Sequence, residues 1–342
     1  MTRWDAVDDV ADGPAPAVPE TGTAPPDGPR RPGPHALLLE ARDVPLGGLR
    51  AITVRRSLPQ RALSTVGAWC FVDRFGPQRA KMRVEPHPHM GLQTVTLPLA
   101  GEVRHRDSIG TDVVLRPGQL NLMTSGRGIA HSEYSLGSAD EYQHGLQLWV
   151  ALPEASRNGS AAFERHEDLP IVSVPASVGE DGRATVIMGT LAGVTSPATT
   201  HTPIVGAELR LEPGSTVELP LDPTWEHALM VVSGDAAASA DGENPMPGLA
   251  RSDLLYLGTD RASITLASDH GAIVILLGGE PFEEDLVMWW NFVGRSHDDI
   301  EQAWDDWQHR TGRFGEVDGH GDVRIPAPPL PTVRLLPRHR AI

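Results

Sequence analysis

A chain of 342 residues can hold two ordinary domains, and its 45 acidic against 29 basic side chains give a formal charge of -16. That sign excludes non-specific attraction to nucleic acid or acidic membranes, which needs clustered lysine and arginine; Lys81 is the only lysine and the arginines are scattered. One cysteine (Cys70, read as a small buried hydrophobe) precludes an intramolecular disulfide, the N-terminus lacks an apolar signal core, and runs such as 272–277 are too short to span a bilayer, so the expectation is a cytoplasmic protein without membrane or direct nucleic-acid binding.

Residues 1–35 are predicted to be a disordered tail, because the stretch 12–34 is rich in Pro, Gly, Ala and Thr and has too little apolar surface to offset the entropy of ordering. Order is expected from Ala36, with strands at 36–41 and 50–54 and a buried apolar segment at 66–72. The stretch 84–135 then carries the chemistry. Thr94 to Ala100 is β-branched and reads as a strand, Glu102 to His105 and Val113 to Arg116 alternate around turn residues, and Gln119 to Thr124 follows the turn at Pro117-Gly118. Short strands with turns every 8 to 12 residues fit a small antiparallel barrel or jelly roll.

Two short pieces flank these strands, Pro86-His87-Pro88-His89 and Ala130-His131-Ser132-Glu133. Residues two apart in a strand share a face, so His87 with His89, and His131 with Glu133, each form a pair of potential metal ligands. Facing each other, the pairs would make a site of three imidazoles and one carboxylate. Such a set leaves positions of an octahedron open, which suits Fe(II), Mn(II), Ni(II) or Cu(II) better than closed tetrahedral zinc.

Leu146 to Leu152 is a further strand, on which Gln147 and Trp149 share a face and could back the site; packing is the blander role for Trp149. The polar segment 156–167 reads as a connector. Strand signals return at 171–174, 184–188, 205–211, 216–219, 228–232, 253–257, 263–267 and 272–277, with a faint echo of the first half. Because His227 has no partner two residues on and His270 stands alone, the second barrel is expected to be metal-free. His297 to His309 places Ile300, Trp304 and Trp307 at helical spacing behind Ser296 as N-cap, and 325–331 reads as an extended tail across a barrel. The predicted fold is thus all-β: two tandem antiparallel barrels or jelly rolls, 36–160 and 161–342, with a short C-terminal helix. His105 is placed on a charged hairpin and expected to be exposed; His35, His144, His166, His201, His309, His320 and His339 are placed in loops, polar segments or tails.

The order His-x-His, Gly-bounded hairpin, Pro-Gly turn and late His resembles the cupin superfamily. The longer runs 71–77, 87–96, 101–110 and 123–133 together resemble the pirin family, over about 250 residues from near Arg55 to near Leu330; 278–281 and 288–293 look like its C-terminal half. The resemblance implies a bicupin with one working site, in which His87, His89, His131 and Glu133 match the iron-binding set. It implies Fe(II) ahead of Mn, Ni or Cu, and a quercetin 2,3-dioxygenase-type reaction on a flavonol-like substrate with O2, Glu133 serving as ligand and proton acceptor. Met90, Leu92, Gln93, Val95, Arg127, Gln147 and Trp149 are the candidate pocket. The family also implies an alternative of another class: a redox-sensing transcriptional co-regulator or modulator of a metabolic enzyme, with the acidic stretch 280–307 as a partner surface. Gln93 departs from the family, standing where many pirins carry Glu; alternation from His89 would put it on the ligand face, where an amide cannot act as a base.

Overall fold

The structure, a computed structural model, describes residues 33–46, 52–137, 141–240 and 246–337. The tail predicted at 1–32, His339, and Arg50 and Ala51 of the predicted second strand lie outside the described residues. The first half contains β1 (Pro34–Leu39), β2 (Arg42–Leu46), β3 (Ile52–Leu58), β4 (Trp69–Arg79), β5 (Arg83–His89), β6 (Leu92–Ala100), β7 (Val103–Asp107), β8 (Asp112–Leu115), β9 (Leu120–Thr124), β10 (Ile129–Ser135), β11 (Tyr142–Ala151) and β12 (Ala162–His166). The second half continues with β13 (Ile171–Val174), β14 (Ala176–Val178), β15 (Gly182–Leu191), β16 (Val194–Thr195), β17 (Ile204–Leu211), β18 (Ser215–Pro220), β19 (Glu226–Gly234), β20 (Ala237–Ser239), β21 (Leu254–Gly258), β22 (Ser263–Ser268) and β23 (Ala272–Gly279). The hairpin β24 (Val287–Trp289) and β25 (Phe292–Gly294) precedes the helix α1 (His297–Gln308).

Each half is a sandwich of one large and one small sheet. In the N-terminal barrel the order β12-β9-β6-β11-β4-β3-β2 faces β5-β10-β7-β8; in the C-terminal barrel β1-β21-β19-β23-β17-β15-β13, with β16 on β15, faces β14-β18-β22-β20. The two large sheets pack back to back: Val72, Val95, Leu146 and Leu148 share a continuous core with Ala228, Met230, Ile275 and Leu277. Trp69 locks the seam by donating its indole N–H to the carbonyls of Val205 and Gly278. The C-terminal barrel is filled with aliphatic side chains, Val186, Leu209, Leu229, Val231, Leu255 and Val274 among them.

Three features depart from the sequence-based expectation. Pro34 and His35 are not tail: they open β1, which crosses to pair with β21 in the C-terminal barrel, and His35 stacks on Tyr256. Conversely the expected connector contains β12, which pairs with β9 and closes an edge of the N-terminal sheet. The predicted division at residue 160 therefore cuts across strands that the two barrels exchange. Finally, α1 and the hairpin before it pack on the N-terminal barrel, where Trp289, Phe292, Trp307 and Phe314 cover Met90 and Ala130. Ser296 caps α1 in a reciprocal capping box with Asp299, as expected; the buried stripe is Ile300, Ala303 and Trp307, while Trp304, expected in it, is only partly buried. The tail at Ile325 lies across the same barrel, donating its N–H to the carbonyl of Pro86.

Candidate metal centre

β10 is the central strand of the small N-terminal sheet and sets the site. Its neighbour β5 pairs His131 with His87 and Ile129 with His89, while β7 on the other side pairs His131 with Asp107 and Glu133 with His105. Alternation then aims His131, Glu133, His105 and Asp107 into the lumen together with His87 and His89, and turns Ser132 and Tyr134 outward. The wall opposite is built by β4, β6, β9 and β11, whose register brings Thr94, Thr96, Phe71, Asp73, Gln147 and Trp149 onto one inward face.

The ligand atoms of His87, His89 and His131 lie within 4.8 Å of one another. Nitrogens about 2.1 Å from a shared ion stand at most about 4.2 Å apart, close to this span. The three rings are 7%, 2% and 1% exposed. Burial pulls His87 down to about 4 and holds His89 and His131 well below the ordinary imidazole range, with the neighbouring imidazoles adding to the effect. All three are neutral near pH 7, the form whose lone pair binds a metal. His87 donates Nδ1–H to the carbonyl of Glu85 at 2.8 Å, which leaves Nε2 bare. His89 Nδ1 and His131 Nε2 are buried without a hydrogen-bond partner. Unpaired buried nitrogens are costly in a folded protein unless something else meets them, and a divalent ion fits that requirement.

Glu133 differs from the expected arrangement. Its carboxylate forms an overlapping group with His105 and His131 rather than joining His87 and His89 directly. A bulge between His131 and Glu133 shifts the β5 register so that Glu133 stands opposite Val84, and Thr96 Oγ holds the carboxylate at 3.2 Å. The same hydroxyl lies 2.9 Å from Gln147 Oε1. Burial pushes the Glu133 carboxyl up, against the pull of His105 and the Thr96 hydrogen bond.

The candidate pocket residues divide. Gln147 and Trp149 face the lumen, Trp149 standing edge-on to His89 with ring centres 5.2 Å apart and stacked on Phe71 at 3.9 Å. Its indole Nε1 is buried and unpaired. Leu92 opens the inward series of β6 that continues with Thr94 and Thr96, but Val95 points into the seam between the barrels. Gln93 points there too, donating to Thr124 Oγ and the Thr199 carbonyl: the chain breaks at Gly91, with a positive φ of 74°, so alternation does not carry over from His89. Met90 turns toward the C-terminal hairpin, and its sulfur receives an Arg313 N–H. Arg127 is exposed on its glycine loop rather than lining the lumen.

Three histidines given no part in the site by the sequence are buried, among them His105, which was expected to be exposed. His105 is 2% exposed, stacked on Phe163 of β12, with Nε2 3.1 Å from Asp107 Oδ2 and Nδ1 3.3 Å from His131 Nδ1. The inward alternation of β7 could have signalled it. His320 reaches from the C-terminal segment to the outer face of β10, bonding Ser132 Oγ at 3.0 Å and Tyr134 Oη at 3.2 Å. His144 accepts from Arg74 Nε in the seam, at 3.1 Å. Opposite the metal ligands, Arg56 and Asp73 make a buried two-pronged ion pair at 2.8 and 2.9 Å, the guanidinium lying 4.3 Å over Phe71.

Comparison with known proteins agrees with this architecture. The family model for Pirin matches residues 51–150 and that for the Pirin C-terminal cupin domain matches 206–315. The chain is 42% identical to a Pseudomonas aeruginosa protein named "Putative quercetin 2,3-dioxygenase PA1205", over 87% of this chain and 92% of that one. It is 34% identical to a pirin-like protein of Caulobacter vibrioides, over 85% and 99% respectively. A crystal structure titled quercetin 2,3-dioxygenase from Acinetobacter baumannii superposes with a TM-score of 0.80 at 36% identity, covering 89% of this chain and 98% of that one. Among the described residues no helix is long and apolar enough to cross a membrane. With both domain models matched and a relative above 40% identity, the chain belongs to the pirin family and is a bicupin, with three candidate ligand histidines gathered in its N-terminal barrel.

Proposed function

We propose that this pirin-family chain is a metal-dependent oxidoreductase of the quercetin 2,3-dioxygenase type, acting on a flavonol-like substrate with O2. Fe(II) is the proposed metal, with Mn, Ni or Cu as alternatives. The observation that carries the reading is the buried convergence of three neutral imidazoles beside Glu133, in a chain 42% identical to a relative named for that activity. His87, His89 and His131 would hold the ion, and Glu133, on the same face of β10 as His131, would complete the set. When bound, the ion supplies Lewis-acid polarisation of adjacent substrate oxygens and open positions for O2.

The chain's own groups supply the rest. Glu133 takes the substrate hydroxyl proton at a carboxylate oxygen, a role favoured by the burial that raises its proton affinity, while Thr96 steadies Oε1. Trp149, backed by Phe71, offers the face of its ring turned away from Phe71 to an aromatic ligand, and its Nε1–H is a free donor for one of the ligand's oxygens.

Metal-loaded protein is titrated with quercetin, first without and then with oxygen. A shifted flavonol band that decays only in oxygen is the expected result; bound metal with no flavonol response across a panel sinks the enzyme reading. Near-complete burial of His89 and His131 favours a second reading, in which the ion is a structural or redox-sensing element of a regulator binding a transcription factor or metabolic enzyme. A protein that co-purifies with the metal-loaded form and leaves on metal removal, with no turnover, would support it.

A further inference from the structure

We infer that His105 and Asp107 are positioning residues which fix the tautomer of His131, so that its Nε2 is permanently presented to the metal. Asp107 is held first. Its Oδ1 accepts backbone N–H groups from Ile109 at 3.0 Å and Thr111 at 2.9 Å, within the turn that links β7 to β8. Against burial, which would raise it, the hydrogen bonds from His105 and Thr111 hold the Asp107 carboxyl below the usual carboxylate range. Oδ2 is therefore left to face His105 Nε2 at 3.1 Å, and a carboxylate can only accept. A His105 ring with a single proton therefore carries it on Nε2, facing the carboxylate, and presents Nδ1 as an acceptor.

That acceptor lies 3.3 Å from His131 Nδ1. Two bare nitrogens facing each other would repel, so His131 carries its proton on Nδ1 and donates it to His105. The consequence falls on the other side of the His131 ring: Nε2 keeps its lone pair, and this is the nitrogen that is buried with no partner. Asp107, His105 and His131 thus form a directional chain of hydrogen bonds that begins at two backbone amides and ends at a ligand atom. Phe163, stacked 4.6 Å from His105, keeps the middle ring in plane. Carboxylate-to-histidine support of this kind orients a ligand ring and strengthens its donor nitrogen. His87 needs no such chain because the Glu85 carbonyl serves it directly.

The inference rests on the metal-site reading, and its experiment separates the two. Asp107→Asn is the discriminating variant, because the Ile109 and Thr111 amides keep the carbonyl side of the new amide and turn its NH2 toward His105. His105 must then carry its proton on Nδ1, and His131 must move its own to Nε2. In protein with 15N-labelled histidine and no metal, NMR is expected to show His131 as the Nδ1–H form in the wild type and predominantly Nε2–H in Asp107→Asn. Titration with Co(II), followed by its visible ligand-field bands, is expected to show affinity weakened about 10- to 100-fold in Asp107→Asn and in His105→Leu. A wild-type His131 protonated on Nε2 overturns the inference. So does an Asp107→Asn protein whose tautomer and Co(II) affinity match the wild type, or one that only melts earlier with the tautomer unchanged. A tautomer that switches as expected in a protein that takes up no Co(II) upholds the positioning chain and removes the metal-site reading instead.

Discussion

The carbonyl oxygen of Val293 occupies the place that a Cβ on Gly91 would need, two residues beyond the candidate ligand His89. The hairpin β24–β25 thus touches the backbone just after β5, and Val293 N–H donates to the carbonyl of Met90 at 3.0 Å. Gly91 also holds a φ of 74°, open to glycine at little cost. Gly91→Ala is expected to destabilise the protein by more than about 2 kcal/mol, since left-handed backbone alone costs an ordinary residue about 1–2 kcal/mol. Chemical denaturation checks it, and an unchanged midpoint would show that the hairpin yields without cost.

Removing a ligand should remove the ion. His89→Ala and His131→Ala are each expected to abolish stoichiometric metal, measured by elemental analysis of protein purified without added metal. Full retention in both variants would refute the site. Glu133→Gln is expected to keep part of the metal, because the three imidazoles form a group without it, and to lose flavonol turnover.

Acid should destabilise the metal-free fold. Burial lowers His144 and His227 to about 4 in the fold, below the ordinary value of 6.5 that each regains on unfolding. The unfolded chain therefore binds more protons below pH 6.5, so the stability these residues contribute is complete above that pH and is lost as it falls toward 4. The melting temperature of metal-free protein should fall across this window. His144→Gln should make the fall shallower, and an identical pH dependence would remove His144 from the account.

The Arg56–Asp73 pair gives a test of the lumen wall. Truncating one partner of a buried pair strands the other charge, at about 3–5 kcal/mol. Asp73→Ala is expected to cost that much in denaturant unfolding, and Arg56→Met combined with Asp73→Leu markedly less. Equal losses would mean that the pair matters through packing alone.

The sequence was most informative where local periodicity decided the outcome. The His-x-His and His-x-Glu pieces each put their own two side chains on one face once they were strands, and α1 followed from its Ser296 cap and from the spacing of Ile300 and Trp307, with Trp304 only partly buried. What escaped depended on partners distant in the chain. His105 is buried only because β7 happens to lie beside β10, and His320 only because the C-terminal segment returns to Ser132. β12 is too polar to announce itself as a strand and is one because β9 offers it an edge. The error at Gln93 was local: one glycine interrupts the strand, and counting by twos fails across it.

The crossing of β1 into the far barrel orders events during synthesis. Gly33 donates to Thr259 across a separation of 226 residues, and β1 has no sheet to join until β21 has emerged. At about 5–20 residues per second on the ribosome, its apolar Leu37, Leu38 and Leu39 wait roughly 10–45 seconds for a partner. The first strand made is thus among the last to be placed, and an early-folding N-terminal barrel would have to keep it unpaired until the second barrel arrives.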